Sequence, residues 1–194
     1  TDMQDFKDRC ERINVIQDQL NAQGVYPEII NVGGGLGVDY YAPSENPIPD
    51  FKAYFSVFKD CLQLRDGQSL HFELGRSIVA QCGSLMTRVL YVKQSVDKQF
   101  AIVDAGMTEL IRPALYGAYH HIENLTSTAD KMQKYDVVGP ICESSDIFAA
   151  DFSLPTTQRG DILAIRSAGA YGESMASCYN CRQLPSSYTD NEIE

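Results

Sequence analysis

The hydrophobic texture of this chain changes once, near Ser77, and that change limits what it can fold into. Before it, apolar residues recur at helical and then at strand spacing, twice over. Met3, Phe6, Cys10, Ile13, Ile16 and Leu20 fall at steps of three and four, which predicts a helix over residues 1–23 that stops at Gly24. Glu28-Ile29-Ile30-Asn31-Val32 follows Pro27 and is short, β-branched and almost wholly apolar, the pattern of a parallel strand buried on both faces. Asp50 is placed to cap a second helix over residues 51–64, with Phe51, Tyr54, Phe55, Phe58, Cys61 and Leu62 on one face. A second strand is expected over residues 69–74. Beyond Ser77 the apolar runs are β-branched and aromatic and end at Gly, Asp or Pro: residues 79–96, 100–104, 135–138 and 161–165 read as strands, with one short helix around 108–119.

Helix, strand, helix, strand is a βα repeat, so residues 1–76 are expected to form the last βα units of a (β/α)8 TIM-like barrel, whose working groups sit at strand C-termini. Residues 77–194 are expected to form a mainly antiparallel β-barrel or sandwich. Composition agrees with a packed chain, with 44% hydrophobic and 22% charged residues. The formal charge of −10 argues against a nucleic-acid partner, since no Lys/Arg cluster could neutralise a phosphate backbone. No apolar run approaches the roughly 20 residues of a membrane helix, and the polar start Thr1-Asp2-Met3-Gln4 does not resemble a signal peptide. A soluble, cytoplasmic protein is the expectation. The six cysteines show no disulfide framework, and Cys178 and Cys181, a lone C-x-x-C with neither a second pair nor a nearby His, are expected to be free thiols with no metal.

Several stretches carry chemistry. Gly33-Gly34-Gly35-Leu36-Gly37 follows a buried strand, where its amides could cradle a phosphate or the glycines could simply make a flexible turn; it matches neither a dinucleotide fingerprint nor a Walker A loop. Glu73 and Arg76 flank Gly75 at the next strand end. Arg112, Pro113 and Tyr116 follow the turn Asp104-Ala105-Gly106. Cys142 and Glu143 come directly after the Gly139-Pro140 break, on a loop leaving a strand, where side chains are presented rather than packed. Tyr171 lies in Ala168-Gly169-Ala170-Tyr171-Gly172. Taken singly these are surface charges, core residues and turns; together they would serve an amino-acid enzyme, with guanidiniums for carboxylates, an acid for an ammonium or ring nitrogen, a thiol for proton transfer and amides for phosphate. His71, His120 and His121 have no ligand spacing and read as structural or surface residues.

In this order, Gly33-Gly34-Gly35-Leu36-Gly37, Glu73-Leu74-Gly75-Arg76, Asp104-Ala105-Gly106, Arg112-Pro113-Ala114-Leu115-Tyr116, Cys142-Glu143-Ser144 and Gly169-Ala170-Tyr171 resemble the C-terminal half of the diaminopimelate decarboxylase family, pyridoxal-phosphate enzymes of alanine-racemase-like fold. The resemblance implies decarboxylation of meso-2,6-diaminopimelate to L-lysine. It implies that Gly34 and Gly35 bind the cofactor phosphate through their amides with the Tyr171 hydroxyl nearby, that Gly75 and Arg76 also border the cofactor, and that Glu73 pairs with the pyridine nitrogen. Arg76, Arg112, Tyr116 and Tyr171 would contact the substrate, the first three at its non-reacting carboxylate, and Glu143 would hold its ammonium. Cys142 would reprotonate the α-carbon, reaching the site from the partner subunit of a homodimer.

Two departures from the family pattern accompany the match. Leu74 stands where the family carries proline, with both charged ends of that motif kept. None of Lys7, Lys52, Lys59, Lys93, Lys98, Lys131 and Lys134 sits in a strand-end context like that of the family's Schiff-base lysine, so the chain is expected to be a fragment that is inactive alone. A decarboxylase of the same fold acting on ornithine, arginine or carboxynorspermidine is the alternative, as is a non-catalytic cofactor-binding module; Arg112 with Tyr116 discriminates, because those substrates lack a second α-amino-acid carboxylate.

Overall fold

The computed structural model describes residues 2–190. The expected helix start at Thr1 and the last four residues assigned to the β domain lie outside them. The chain divides into two compact units, one of residues 2–38 and 48–78 and one of residues 39–47 and 79–190. The segment 39–47, expected with the βα part, thus groups with the second unit.

In the first unit, helix α1 (Met3–Ala22) opens with the Asp2 side chain accepting from Gln4 N, and Gly24 at φ +77 closes it. Strand β1 (Ile29–Asn31) pairs in parallel with β2 (Ser69–His71), Ile30 opposite Leu70. Helix α2 (Phe51–Cys61) lies between them in sequence and is capped by Asp50, whose carboxylate accepts from Ala53 N. Both helices and both strands bury their apolar sides in one cluster that includes Phe6, Cys10, Ile30, Val32, Tyr54, Phe58 and Leu74. Its aromatic rings meet edge to face, Phe6 on Tyr54 at 4.8 Å and Phe58 on Phe72 at 5.2 Å between centroids, a geometry favoured by the ring quadrupoles. Burying each such ring contributes about 1.5–3 kcal/mol.

Helix α3 (Gly75–Val79) and a 3-10 turn (Ala80–Cys82) occupy part of the run expected as strand from residue 79. The carbonyl of Leu74 accepts from both Ser77 Oγ (3.0 Å) and Ile78 N (3.3 Å), so a local turn overrides the β-branched composition of Ile78-Val79. The strand itself begins at Leu85.

The second unit is a six-stranded sheet in the order β5 (Ile122–Asn124), β8 (Ile162–Ile165), β3 (Leu85–Gln94), β4 (Gln99–Val103), β6 (Met132–Val138), β7 (Ile147–Pro155). All its pairings are antiparallel except β4 with β6, which run parallel with Ala101 opposite Val137. The edge strands β5 and β7 approach one another, so the mixed sheet is nearly closed. Val89, Ala101, Val103, Tyr135, Val137, Leu154, Leu163 and Ile165 fill its interior. Two of these strands escape sequence reading for physical reasons. β5 is three residues long, and β7 is interrupted by Asp151 at φ +52, which breaks the alternation on which a strand is recognised. The helix expected over 108–119 is only α4 (Arg112–Tyr116), ended by Gly117 in the left-handed conformation with its N–H on Pro113 O.

Candidate active site

In the first unit, β1 and β2 deliver the glycine run and Glu73 from the same end of the parallel pair. Gly33 (φ +69) and Gly35 (φ +110) hold backbone conformations that L side chains rarely adopt. Gly34 is required for a different reason: a Cβ there would lie 2.2 Å from the carbonyl oxygen of Glu73. The turn is therefore built, not slack, and a side chain would fill it. Arg9 of α1 donates through Nη1 to the carbonyls of Val32 (3.0 Å) and Gly34 (2.9 Å), and Glu73 N donates to Gly33 O (2.9 Å). Asn31, the last residue of β1, joins the turn to the acid: its Oδ1 accepts from Gly33 N and its Nδ2 donates to Glu73 Oε1, both at 2.8 Å. Glu73 is exposed and Arg76, in α3, is half-buried. Leu74 buries its side chain in the core while its carbonyl accepts from Ser77 Oγ and Ile78 N at the start of α3.

In the second unit, Arg112 opens α4 and is 7% exposed, yet it pairs with no acidic side chain among the described residues. Its guanidinium carbon lies 5.3 Å from the ring centroid of Tyr40 and 5.6 Å from that of Tyr171. Cation–π attraction of this kind offsets part of the cost of burying the charge. Its Nε donates to His120 Nε2 (3.4 Å), and His120 Nδ1 lies 2.8 Å from Arg166 O. Burial holds the His120 pKa below its ordinary value, with Arg112 adding in the same direction against the Arg166 carbonyl. The Tyr40 hydroxyl is buried with no hydrogen-bond partner. Tyr171 has φ +65 and is presented by a loop docked through Ala168 N on Gly83 O (2.8 Å) and Gly169 N on Ala80 O (2.9 Å). Tyr116, one turn beyond Arg112, is exposed.

Cys142 and Glu143 are exposed on the loop between β6 and β7, as expected for that Gly-Pro break. Buried Asp146 organises the loop: Oδ2 accepts from Ile141 N (2.7 Å), Oδ1 accepts from Met107 N (2.6 Å), and its own carbonyl accepts from Gly139 N (3.0 Å). Burial raises the Asp146 pKa, opposed by the two amides, and nearby Glu109 raises it further. Glu109 accepts from Gly106 N (2.7 Å) and pairs with Arg182 (3.1 Å), which also donates to Asp104 O (2.6 Å). The turn at residues 104–109 and the Cys142 loop are thus tied by the buried carboxylate of Asp146. An open groove of about 500 Å³ elsewhere in this unit, at the β3–β4 hairpin, contains none of the expected site residues, and its Lys98 and Lys134 are already paired with Asp136 and Asp151.

The expected residues therefore fall into three groups: Gly34, Gly35 and Glu73, with Gly75 and Arg76 just after them, in the first unit; Arg112, Tyr171 and Tyr116 in the second; and Cys142 with Glu143 on their own loop in that second unit. The sequence gives no site role to Arg9, Asn31 or Tyr40, and His120, read there as structural or surface, is buried. Asp146 closes the polar stretch after the Gly139-Pro140 break and Asn31 lies two residues before the glycine run, so proximity to those motifs is the available signal; nothing in the sequence pairs His120 with Arg112.

The chain matches the model for the pyridoxal-dependent decarboxylase C-terminal sheet domain over residues 10–169. It is 59% identical over 192 residues to diaminopimelate decarboxylase of Bacteroides thetaiotaomicron, covering 99% of this chain and 50% of that protein. Among solved structures, a mutant diaminopimelate decarboxylase from Helicobacter pylori complexed with L-lysine is 41% identical with a TM-score of 0.83, over 93% of this chain and 44% of that one. The enzyme from M. jannaschii in complex with L-lysine is 35% identical with a TM-score of 0.83, over 95% and 43%. The chain spans about half the length of the curated relatives it matches. By this match over most of its length, the chain belongs to the pyridoxal-dependent decarboxylase family through that family's C-terminal sheet domain.

Proposed function

We propose that the chain serves the pyridoxal-phosphate-dependent decarboxylation of meso-2,6-diaminopimelate to L-lysine in the cytoplasm. Its first unit would be the last βα units of a (β/α)8 barrel and its second the C-terminal β domain. The observation that carries the substrate class is Arg112, a buried guanidinium over the rings of Tyr40 and Tyr171 with no acid beside it among the described residues. An unpaired buried cation is costly unless an anion arrives to meet it. The carboxylate at the non-reacting end of diaminopimelate is such an anion, and ornithine has none there.

The glycine turn fits a phosphate, since the space a Cβ would need at Gly34 is already taken by backbone and the Gly33 and Gly35 conformations favour glycine. Gly34 and Gly35 would hold the cofactor phosphate by their amides, with the Tyr171 hydroxyl beside it and Gly75 bordering the group. Asn31 Nδ2 donates to Glu73 Oε1, and Oε2 would be left to keep the pyridine nitrogen of the cofactor protonated. When bound, pyridoxal phosphate supplies an electron sink for the electrons freed by loss of CO2. Arg76, Arg112 and Tyr116 would orient the substrate through its distal carboxylate, and Glu143 would hold its ammonium. Cys142 would give a proton to the α-carbon, and with Glu143 exposed on one loop both would act on the site of a partner copy in a homodimer.

The test is CO2 release from meso-diaminopimelate and from ornithine, for the wild type and for Arg112→Lys, with pyridoxal phosphate supplied. The expected result is strong preference for diaminopimelate, with Arg112→Lys lowering kcat/KM by about 2–4 kcal/mol and leaving cofactor affinity unchanged, because an ammonium cannot reproduce a two-pronged grip. Equal losses in substrate use and cofactor binding would place Arg112 at the cofactor, and ornithine serving as well as diaminopimelate would sink the substrate assignment.

A further inference from the structure

A histidine 1% exposed and not used by the chemistry above calls for an account of its two ring nitrogens. His120 Nδ1 lies 2.8 Å from the main-chain oxygen of Arg166. A carbonyl oxygen only accepts, so Nδ1 carries the proton. In the neutral ring Nε2 is then an acceptor, and what faces it at 3.4 Å is Arg112 Nε, which only donates. The chain of bonds closes in one direction only, from Arg112 Nε to His120 Nε2 and from His120 Nδ1 to Arg166 O. A protonated ring would set an N–H against an N–H and a cation against a cation, and burial disfavours that form.

The bond also decides which edge of the guanidinium is available. An arginine can grip a carboxylate side-on, through Nε and one Nη, or end-on, through both Nη groups. His120 occupies Nε. Tyr40 and Tyr171 sit on the guanidinium at 5.3 and 5.6 Å, and the Tyr40 ring in turn meets the His120 ring edge to face at 5.0 Å, so the imidazole braces both the cation and one wall of its cage. We infer that His120 is the positioning residue for Arg112: as a neutral acceptor on Nε it fixes the guanidinium against Tyr40 and Tyr171 and leaves the end-on Nη pair as the grip for the substrate's distal carboxylate. The inference rests on the substrate reading above and deepens it, because an end-on grip admits a carboxylate along one axis and thereby sets how far the reacting end of the substrate extends.

Substituting His120→Leu removes the acceptor while keeping an apolar body, and His120→Gln restores an oxygen near the position of Nε2. In the full enzyme with cofactor, His120→Leu is expected to raise KM for meso-diaminopimelate about tenfold or more, with kcat and pyridoxal phosphate affinity little changed, and His120→Gln to recover most of that loss. Loss of kcat, KM and cofactor affinity together in both variants would mean that His120 is only a packing residue and would overturn the inference. Nitrogen-15 spectra of the wild-type imidazole provide a readout independent of turnover and of whether the leucine variant folds. A proton on Nδ1 and none on Nε2 at neutral pH is expected; the reverse tautomer overturns the inference. Failure of the substrate reading shows separately, as wild-type enzyme that does not prefer diaminopimelate to ornithine while the tautomer stands as assigned.

Discussion

Two charged side chains in the second unit are buried for opposite ends. Arg112 is buried without an acidic partner among the described residues. Asp146, 4% exposed, is met entirely from within, by the amides of Ile141 and Met107. Asp146 therefore acts on conformation: it holds the turn that presents Cys142 and Glu143 against the turn at 104–109. Removing the carboxylate leaves two amides without acceptors, and Asp146→Ala should destabilise the fold by about 2–4 kcal/mol, read from urea unfolding. The pH dependence has a definite sign. Burial raises the folded-state pKa above the unfolded value, so the folded state binds the extra proton, and the stability contributed is full below the ordinary carboxylate pKa and is lost as pH rises through the raised one. Asp146→Asn should lack that decline. A wild type whose stability changed with pH as the asparagine variant's does would show that this carboxylate is not titrating inside the fold.

At the scale of elements, the same kind of glycine serves two purposes, and substitution separates them. Gly33 has φ +69 with nothing near its missing Cβ, so Gly33→Ala should cost only the left-handed strain, about 1 kcal/mol. Gly34 has ordinary φ but no room, because backbone at the end of β2 stands 2.2 Å away, and relief requires the β1 turn and Glu73 to part. Gly34→Ala should cost about 1–3 kcal/mol and weaken pyridoxal phosphate binding more than Gly33→Ala does. Equal effects would mean that the turn yields and the close approach is not rigid. What the sequence told of these elements follows the same division between local and distant causes. α1, α2 and the β1 turn were readable because periodicity, a capping Asp and a glycine run are local signals. Residues 79–83 misled because a turn bonded to Leu74 O outweighs two β-branched residues. β7 was hidden by one residue at positive φ. Of the candidate site, the motifs name the glycines, acids, arginines and thiol, whereas Arg9, Tyr40 and His120 act on partners 23, 72 and 8 positions away and carry no local signature.

For the molecule as a whole, each unit has its own apolar cluster but the two do not have the same kind of sheet beneath it. In the second unit a long hairpin, β3 with β4, is flanked on both sides by further strands, so its amides are bonded within a nearly closed sheet. In the first, β1 and β2 are three residues each and, among the described residues, pair only with each other. A two-stranded pair is marginal in water unless helices cover it. Here the cover is the aromatic cluster of α1 and α2, in which Phe6, Tyr54 and Phe58 are almost wholly buried. Opening the first unit therefore requires only that this cluster loosen, while opening the second requires breaking a network of strands that share their neighbours. Amide hydrogen exchange should reflect that difference: in the absence of cofactor, Ile30 and Leu70 should exchange at least about tenfold faster than Val89, Ala101 and Val137, since local openings cost less where fewer strands must part. Added pyridoxal phosphate should slow exchange at Gly34 and Gly35 first, because a ligand that binds only the closed turn stabilises it by mass action. Uniform exchange across both units would mean that they unfold as one cooperative body, and the helices would then be stabilising far more than the pair of strands they cover.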